Sequence, residues 1–111
     1  MIDDIKQYVN WFRHSSPYIN AHRGKTFVVA FPGEAVAHPN FQHLIQDIVL
    51  LHSLGIRLVL VHGARQQIDQ HLQQLNLPIQ IENHRRVTDL ASLGAVQEAI
   101  GRTTIQVQAH L

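Results

Sequence analysis

The stretch Arg57-Leu-Val-Leu-Val-His-Gly-Ala-Arg65 decides the fold, because an apolar run leads into a turn of small residues and then into a helical pattern. Such a run is typical of a strand that is buried on both faces of a parallel sheet. The turn after it lies at the carboxyl edge of the sheet, where backbone N–H groups and a helix N-terminus favour an anion. The stretch therefore predicts an α/β fold with a candidate ligand site at this turn.

The rest of the chain repeats this alternation of strands and helices. The β-α-β-α-β-α order predicts a mostly parallel sheet with helices on both faces. The alternating apolar residues of 102–111 fit a further strand, although no turn residue closes that segment. The other predicted elements are a leading amphipathic helix from residue 2 to about 15 that Pro17 ends, strands Thr26–Phe31, Ile56–Val61 and Ile79–Ile81, helices Asn40–Leu54 and Arg65–Leu75, and a helix that follows its N-cap Thr88 and runs to Ile100.

Length and composition exclude several classes of protein. The net charge of +1, without a basic run, speaks against nucleic acid as a partner. The absence of cysteine excludes disulfides, and the nine histidines include no pair three or four residues apart, so we expect no metal site. The acidic N-terminus and short apolar runs predict neither a signal peptide nor a membrane span, and hence a cytoplasmic protein. Because 111 residues leave sheet surface uncovered, we expect the N-terminal part of a longer protein.

Small residues after both long strands mark the candidate ligand site. Gly33 and the pair Gly63-Ala64 would let a ligand approach the backbone, and adjacent parallel strands bring such turns side by side. Arg86 stands just before the last predicted helix, where its guanidinium would pair with a carboxylate. Together they predict a pocket for a small acidic molecule. The alternative of tight turns without a ligand, and of a solvated surface arginine, stays open, because neither Walker A nor Gly-x-Gly-x-x-Gly is present.

Several segments resemble the amino-acid-kinase-like domain of bacterial N-acetylglutamate synthase. They are Tyr8–Ile19, Gly24–Val29, Gly33-Glu-Ala35, Leu51–Asp69 and Arg86-Val-Thr-Asp89. The resemblance implies a three-layer αβα sandwich of the amino acid kinase type, of which this chain is the N-terminal portion. It implies an N-terminal helix and linker over residues 1–23 and the start of the domain over 24–111. It also favours helix over strand for 102–111.

The resemblance implies a function as well. In this family acetyl-CoA acetylates the amino group of L-glutamate, the first step of arginine biosynthesis, and a separate C-terminal domain carries the catalytic residues. This segment would then hold no catalytic residue and no cofactor, and would act in regulation by L-arginine and in oligomerisation. The leading helix supplies an aromatic residue to the arginine site and interlocks subunits into a hexameric ring in such relatives, so Tyr8, Trp11 and Phe12 are the candidates here.

One departure separates the chain from the related acetylglutamate kinases. Those enzymes carry a lysine at the end of the first strand, in a Lys-x-Gly-Gly turn, where this chain reads Ala30-Phe-Pro-Gly33. Alanine cannot neutralise the charge that develops in phosphoryl transfer. The kinase's Gly-Gly-Gly turn has likewise become Gly63-Ala-Arg65. Phosphoryl transfer is therefore not expected, and the two alternatives to the synthase interpretation are a degenerate acetylglutamate kinase and a non-catalytic amino-acid-sensing module.

Overall fold

The two long apolar runs pair directly with each other as parallel strands. In the computed structural model, which describes residues 1–111, every residue of Thr26–Phe31 lies opposite a residue of Arg57–His62. The predicted α/β fold is confirmed, and these strands form a two-stranded parallel sheet. The elements follow in the order α1 (Ile2–His22), β1 (Thr26–Phe31), α2 (Gly33–Ala37), α3 (Phe41–Ser53), β2 (Arg57–His62), α4 (Arg65–Gln74), β3 (Gln80–Glu82), β4 (Arg85–Val87) and α5 (Leu90–His110).

Helices cover one face of the β1–β2 sheet. The larger apolar cluster combines side chains of β1, α2, α3 and α5, namely Phe31, Val36, Phe41, Ile45, Ile48 and Val107. A second cluster joins α4 and the residue before it to α5, and it consists of Ala64, Ile68, Leu72, Ala95 and Ala99. α5 therefore takes part in both clusters and holds α4 to the body of the molecule.

The opposite face of the sheet is bare. The side chains of Val28, Ala30, Val59 and Val61 lie on this face, and the three valines are 66%, 48% and 50% exposed. Val28 lies beside Val59 and Ala30 beside Val61, so the four residues form one apolar patch. Within these 111 residues α4 packs against α5 rather than on this face, so the face stays uncovered, as the sequence predicts for a stretch too short to cover both faces of its sheet.

The leading helix is longer than predicted. α1 runs through Pro17 to His22, and the Arg23 N–H donates to the carbonyl of Ile19 at 2.9 Å. Proline removes one helical hydrogen bond, and in a helix that buries none of its residues water can replace it. The prediction that Pro17 ends the helix is therefore wrong.

The third predicted strand does not join the parallel sheet. β3 pairs antiparallel with β4 in a separate two-stranded sheet, with Ile81 opposite Arg86. The connecting residues Asn83 and His84 have φ angles of 50° and 64°, as a two-residue hairpin turn requires. The usual sequence signal for this turn is Asn-Gly. Here histidine stands in place of the glycine, so the sequence pattern does not indicate the turn.

The last helix begins one residue later than predicted and ends ten residues later. Asp89, not Thr88, is the N-cap, and α5 passes through Gly101 to His110. Helix is thus confirmed for residues 102–110, as the resemblance implied, and the strand suggested by alternation is wrong. The buried residues of its second half recur at helical spacing, at Ala99, Thr103 and Val107. Neither α5 nor any other helix combines the length and apolar character needed to cross a membrane.

The N-cap of α5 leads to a prediction about pH. The Ser92 N–H donates to the Asp89 carboxylate at 2.8 Å, and this bond lowers the pKa of Asp89 below its ordinary value of 3.8. The charged cap therefore stabilises the fold above about pH 4, and this contribution is lost as the pH falls through the lowered pKa. We expect Asp89→Ala to lower the midpoint of thermal unfolding by a few degrees at neutral pH and by less in acid, as circular dichroism would measure.

Asp89→Ser is the matched control for this cap. Serine keeps an oxygen that accepts from the Ser92 N–H but carries no charge. This variant should keep most of the thermal midpoint at neutral pH and lose the share of the acid dependence that Asp89 causes. An Asp89→Ala variant that loses the same stability at every pH would contradict the role assigned to the charge.

Candidate functional site

The turns that follow β1 and β2 lie against each other. The Gly63 N–H donates to the carbonyl of Phe31 at 2.9 Å, continuing the parallel pairing beyond the strands. A Cβ on Gly63 would lie 3.3 Å from the Gly33 nitrogen. Parallel pairing thus brings Gly33, Gly63 and Ala64 together, as the sequence predicts for adjacent strand ends.

Gly33 is the most crowded point of this contact. A Cβ there would lie 3.0 Å from the Ala64 Cα and 3.1 Å from the Gly63 carbonyl oxygen, and it would overlap the Gln67 Oε1. The Gln67 amide donates to the Gly33 carbonyl at 2.7 Å, while its Oε1 is buried without a partner. The first turn of α4 therefore holds the β1 turn through Gln67, a residue that the sequence analysis did not select.

The start of α4 faces the same place. Its N-cap residue, Ala64, has no side chain that accepts from the first-turn N–H groups. Such free N–H groups favour an anion. At the turns themselves, however, the Pro32 Cα lies 3.5 Å from the position that a Cβ on Gly63 would take. Backbone atoms therefore already occupy the space next to Gly63. The arrangement therefore holds the two strand ends together through backbone contacts.

Arg86 makes its contacts with α4 rather than with Gly33 or Gly63. It belongs to β4, and its guanidinium forms an ion pair with the Asp69 carboxylate of α4, while Nη1 is buried without a partner. Arg86 lines a small cavity of about 170 Å³ together with Arg65, Ile81 and His84. The structure thus groups the predicted ligand arginine with a second arginine, and an internal carboxylate already neutralises much of its charge.

Removing the Asp69 carboxylate is expected to destabilise the fold, because Arg86 then keeps a largely buried charge without a partner. The Asp69 side chain is 31% exposed and the Arg86 side chain is 18% exposed, so solvent partly screens the attraction between them. We expect Asp69→Ala to lower the free energy of unfolding by about 1–2 kcal/mol in urea denaturation. In a protein that already carries Arg86→Met, Asp69→Ala should lower the free energy of unfolding by less. If the double variant lost the sum of the two single losses, the pairing of Asp69 with Arg86 would be contradicted.

His62 is a further residue of this region that the sequence analysis did not select. It ends β2, stacks on Phe31 with ring centroids 6.5 Å apart, and places Nε2 3.0 Å from the Thr104 hydroxyl of α5. Its place beside Gly63 in the opening motif is the signal that could have found it. His62 therefore holds the end of β2 to α5. No group of three or more histidine or acidic residues lies together, as a metal site would require.

The three aromatic candidates lie far from this region in the chain and on a different element. Tyr8, Trp11 and Phe12 are on α1, and all three side chains are exposed. Tyr8 and Trp11 line an open groove along the helix with Asp4 and His14. Within one copy of the chain this groove is open to solvent.

Comparison with known proteins relates the fold to one family. A model of the amino acid kinase family matches residues 25–109. The chain is 53% identical over 107 residues to an amino-acid acetyltransferase of Pseudomonas syringae pv. tomato and 54% identical over the same length to one of Pseudomonas fluorescens. These matches cover 96% of the chain and 25% of each relative. The chain therefore spans about a quarter of the length of the curated relatives it matches.

Solved structures agree with this likeness. The crystal structure of N-acetylglutamate synthase from Neisseria gonorrhoeae complexed with coenzyme A and L-arginine matches with a TM-score of 0.78 and 36% sequence identity. The same enzyme complexed with coenzyme A and N-acetyl-glutamate matches with a TM-score of 0.79. Each match covers 94% of the chain and 24% of the synthase chain. The resemblance and the fold type predicted from the sequence motifs are confirmed.

Proposed function

This chain belongs to the amino acid kinase family, and we propose that it forms the N-terminal, regulatory and oligomerising part of an amino-acid acetyltransferase that makes N-acetyl-L-glutamate from acetyl-CoA and L-glutamate. The observation that carries the proposal is the 53% identity to amino-acid acetyltransferases over 96% of the chain. Because the chain matches only a quarter of those relatives, acetyl transfer itself is assigned to residues that it does not contain. The division into residues 1–23 and 24–111, and a cytoplasmic location, belong to the same proposal.

The strand ends support a function other than phosphoryl transfer. Ala30 lies near the end of β1, on the bare face of the sheet. Its partner in the sheet is Val61, and neither side chain carries a positive charge. Phosphoryl transfer depends on cations that stabilise the charge of the transferring group. The glycine turns pack on each other through backbone atoms. These features favour a kinase-like scaffold that serves sensing and assembly.

L-arginine is the effector that we assign to the complete protein, because the gonococcal synthase was solved with this amino acid. We place the contribution of this chain on α1, where Tyr8, Trp11 and Phe12 are exposed and unpartnered. Inhibition would then follow from arginine binding one arrangement of domains better than another. The pocket around Arg86 is a secondary candidate for binding an acidic amino acid, since Arg86 Nη1 lacks a partner.

A chimeric enzyme tests this proposal. Residues 1–111 replace the matching quarter of the Pseudomonas syringae enzyme, and the chimera is expressed in an arginine auxotroph that lacks its own synthase. We expect growth without arginine from the chimera and none from residues 1–111 alone. In extracts, L-arginine should inhibit acetyl transfer, and alanine at one of Tyr8, Trp11 or Phe12 should raise the half-inhibitory concentration roughly tenfold.

Ser16→Ala is the matched control on the same helix, outside the groove that Tyr8 and Trp11 line, and should leave arginine inhibition unchanged. A folded chimera without acetyltransferase activity would contradict the assignment to this enzyme. ATP-dependent phosphorylation of N-acetylglutamate by residues 1–111 would favour the degenerate kinase instead. Calorimetric binding of arginine by a chain that cannot function in the chimera would favour the sensing module.

A further inference from the structure

Few contacts hold α1 to the rest of the molecule. The helix is 21 residues long and buries none of them, and only residues 23–25 separate it from β1. An element with so few buried contacts moves freely unless another contact holds it. The side-chain contacts that tie α1 to the body lie at its last turn and involve two consecutive residues, His22 and Arg23. These two and the next two residues form the α1 junction, residues 22–25.

The ring of His22 joins the last turn of α1 to β1. It packs edge-on against Phe27, with ring centroids 5.4 Å apart. The His22 Nδ1–H donates to the carbonyl of Tyr18 at 2.7 Å, one turn earlier in the same helix. Because the helix holds the ring on one side and the strand meets it on the other, this contact limits the rotation of α1 about its own axis.

The aliphatic stem of Arg23 lies over the turn between α3 and β2. A Cβ on Gly55 would lie 2.9 Å from the Arg23 Cγ and 3.2 Å from its Nε, so the stem occupies the place of a side chain at this glycine. Two backbone bonds tie the α1 junction to the same turn. The Gly24 N–H donates to the Gly55 carbonyl at 2.8 Å. The Arg57 N–H donates to the Lys25 carbonyl at 2.9 Å.

The two side-chain contacts act in different directions. His22 and Arg23 are consecutive, so their side chains leave the helix about 100° apart. The His22 ring reaches β1, whereas the Arg23 stem reaches the turn between α3 and β2. One contact alone would leave α1 free to swing about it, and two contacts in different directions remove this freedom. Arg23 makes no ion pair, so its stem rather than its charge provides the contact.

We propose that His22 and Arg23 make the α1 junction rigid, and that this junction transmits ligand binding on α1 to the sheet. The inference rests on the role of α1 in arginine inhibition proposed above, and deepens it by naming the residues that position the helix. A freely swinging helix would carry a bound ligand without changing the rest of the molecule, because the ligand would not distinguish its arrangements. A fixed helix passes the change to β1 and to the α3–β2 turn.

Spin-label distances test the rigidity of the α1 junction without any ligand. The chain has no cysteine, so Lys6→Cys on α1 and Gln73→Cys on α4 give two labels at exposed positions and no others. Double electron–electron resonance on labelled chain diluted into unlabelled chain measures the distance within one copy. We expect a single narrow distribution, and we expect His22→Ala with Arg23→Ala to widen it at least about twofold.

His22→Phe with Arg23→Met is the matched control for the alanine variant. Phenylalanine keeps a ring against Phe27, and methionine keeps an unbranched stem over Gly55, so the distribution should stay narrow. Circular dichroism checks that each variant keeps its helix content. A wide distribution in the unmodified chain or in the control, or a narrow one in the alanine variant, would overturn the inference.

The chimeric enzyme tests transmission through the α1 junction. The alanine variant should raise the half-inhibitory concentration of L-arginine at least about fivefold. Its kcat and its KM for glutamate should stay unchanged, because neither His22 nor Arg23 lines the groove of Tyr8 and Trp11 or belongs to the acetyl-transfer residues.

The phenylalanine and methionine control should restore arginine inhibition in the chimera. Unchanged inhibition in the alanine variant would overturn the transmission step. A chimera that arginine does not inhibit would contradict the proposed function instead. The spin-label distances do not depend on acetyl transfer, so failure of the rigid junction and failure of the proposed function are distinguishable.

Discussion

Replacing Leu72 with alanine is expected to lower the free energy of unfolding by about 2–5 kcal/mol, the largest stability loss that we predict. Leu72 is 2% exposed and lies in the cluster that joins α4 to α5. Only 15 of the 111 residues are buried, so few other contacts compensate for the cavity. We therefore expect the variant to be largely unfolded at 37 °C, as urea denaturation and near-ultraviolet circular dichroism would show.

Leu75→Ala is the control for this result. Leu75 lies three residues after Leu72, at the C-cap of α4, and is 49% exposed, so its truncation opens little cavity. It should change the free energy of unfolding by about 0.5 kcal/mol or less. Equal effects at the two leucines would mean that the α4–α5 cluster does not hold the molecule together.

Adding one methyl group at Gly33 is expected to destabilise the chain by about 1–3 kcal/mol. The new Cβ would meet the Ala64 Cα at 3.0 Å and the Gly63 oxygen at 3.1 Å, and both are backbone atoms that cannot turn away. This steric overlap is relieved only if the ends of β1 and β2 separate, and that separation also moves Gln67. In the chimeric enzyme we expect Gly33→Ala to lower acetyltransferase activity through loss of folded protein.

Gly101→Ala provides the opposite expectation. No atom lies within 4 Å of a Cβ at this position, which is inside α5. Alanine should therefore stabilise the helix by up to about 1 kcal/mol. If Gly33→Ala were as harmless as Gly101→Ala in thermal unfolding, the two strand ends would not be in the close contact described.

The sequence predicted those elements for which the apolar pattern, the residue spacing and the flanking residues all indicate the same structure. The apolar runs, the helical spacing in α3 and α4 and the small residues after each strand all indicate the same parallel pair, which the structure confirms. The elements that the sequence missed depend on single residues in unusual roles. His84 adopts a positive φ that closes the β3–β4 turn. Gly101 continues a helix because Ala99 and Thr103, two residues away on either side, are buried.

Less of the candidate site could be predicted. Parallel pairing placed Gly33 beside Gly63, because residue type and strand position determine that contact. The partner of Arg86 could not be predicted, since Asp69 is 17 residues away on another element and no spacing rule connects a helix to a later hairpin. Gln67 was missed for the same reason, because only the packed turns bring it to the Gly33 carbonyl.

The parallel pairing of β1 with β2 also determines the order of events during synthesis. Each residue of β1 pairs with one about 30 positions later in the chain, so β1 leaves the ribosome without a partner strand. At ordinary rates of translation this interval lasts about 2–6 seconds, time in which α2 and α3 can form locally. A nascent chain of this sequence is therefore most open to aggregation, and to chaperone binding, before β2 emerges.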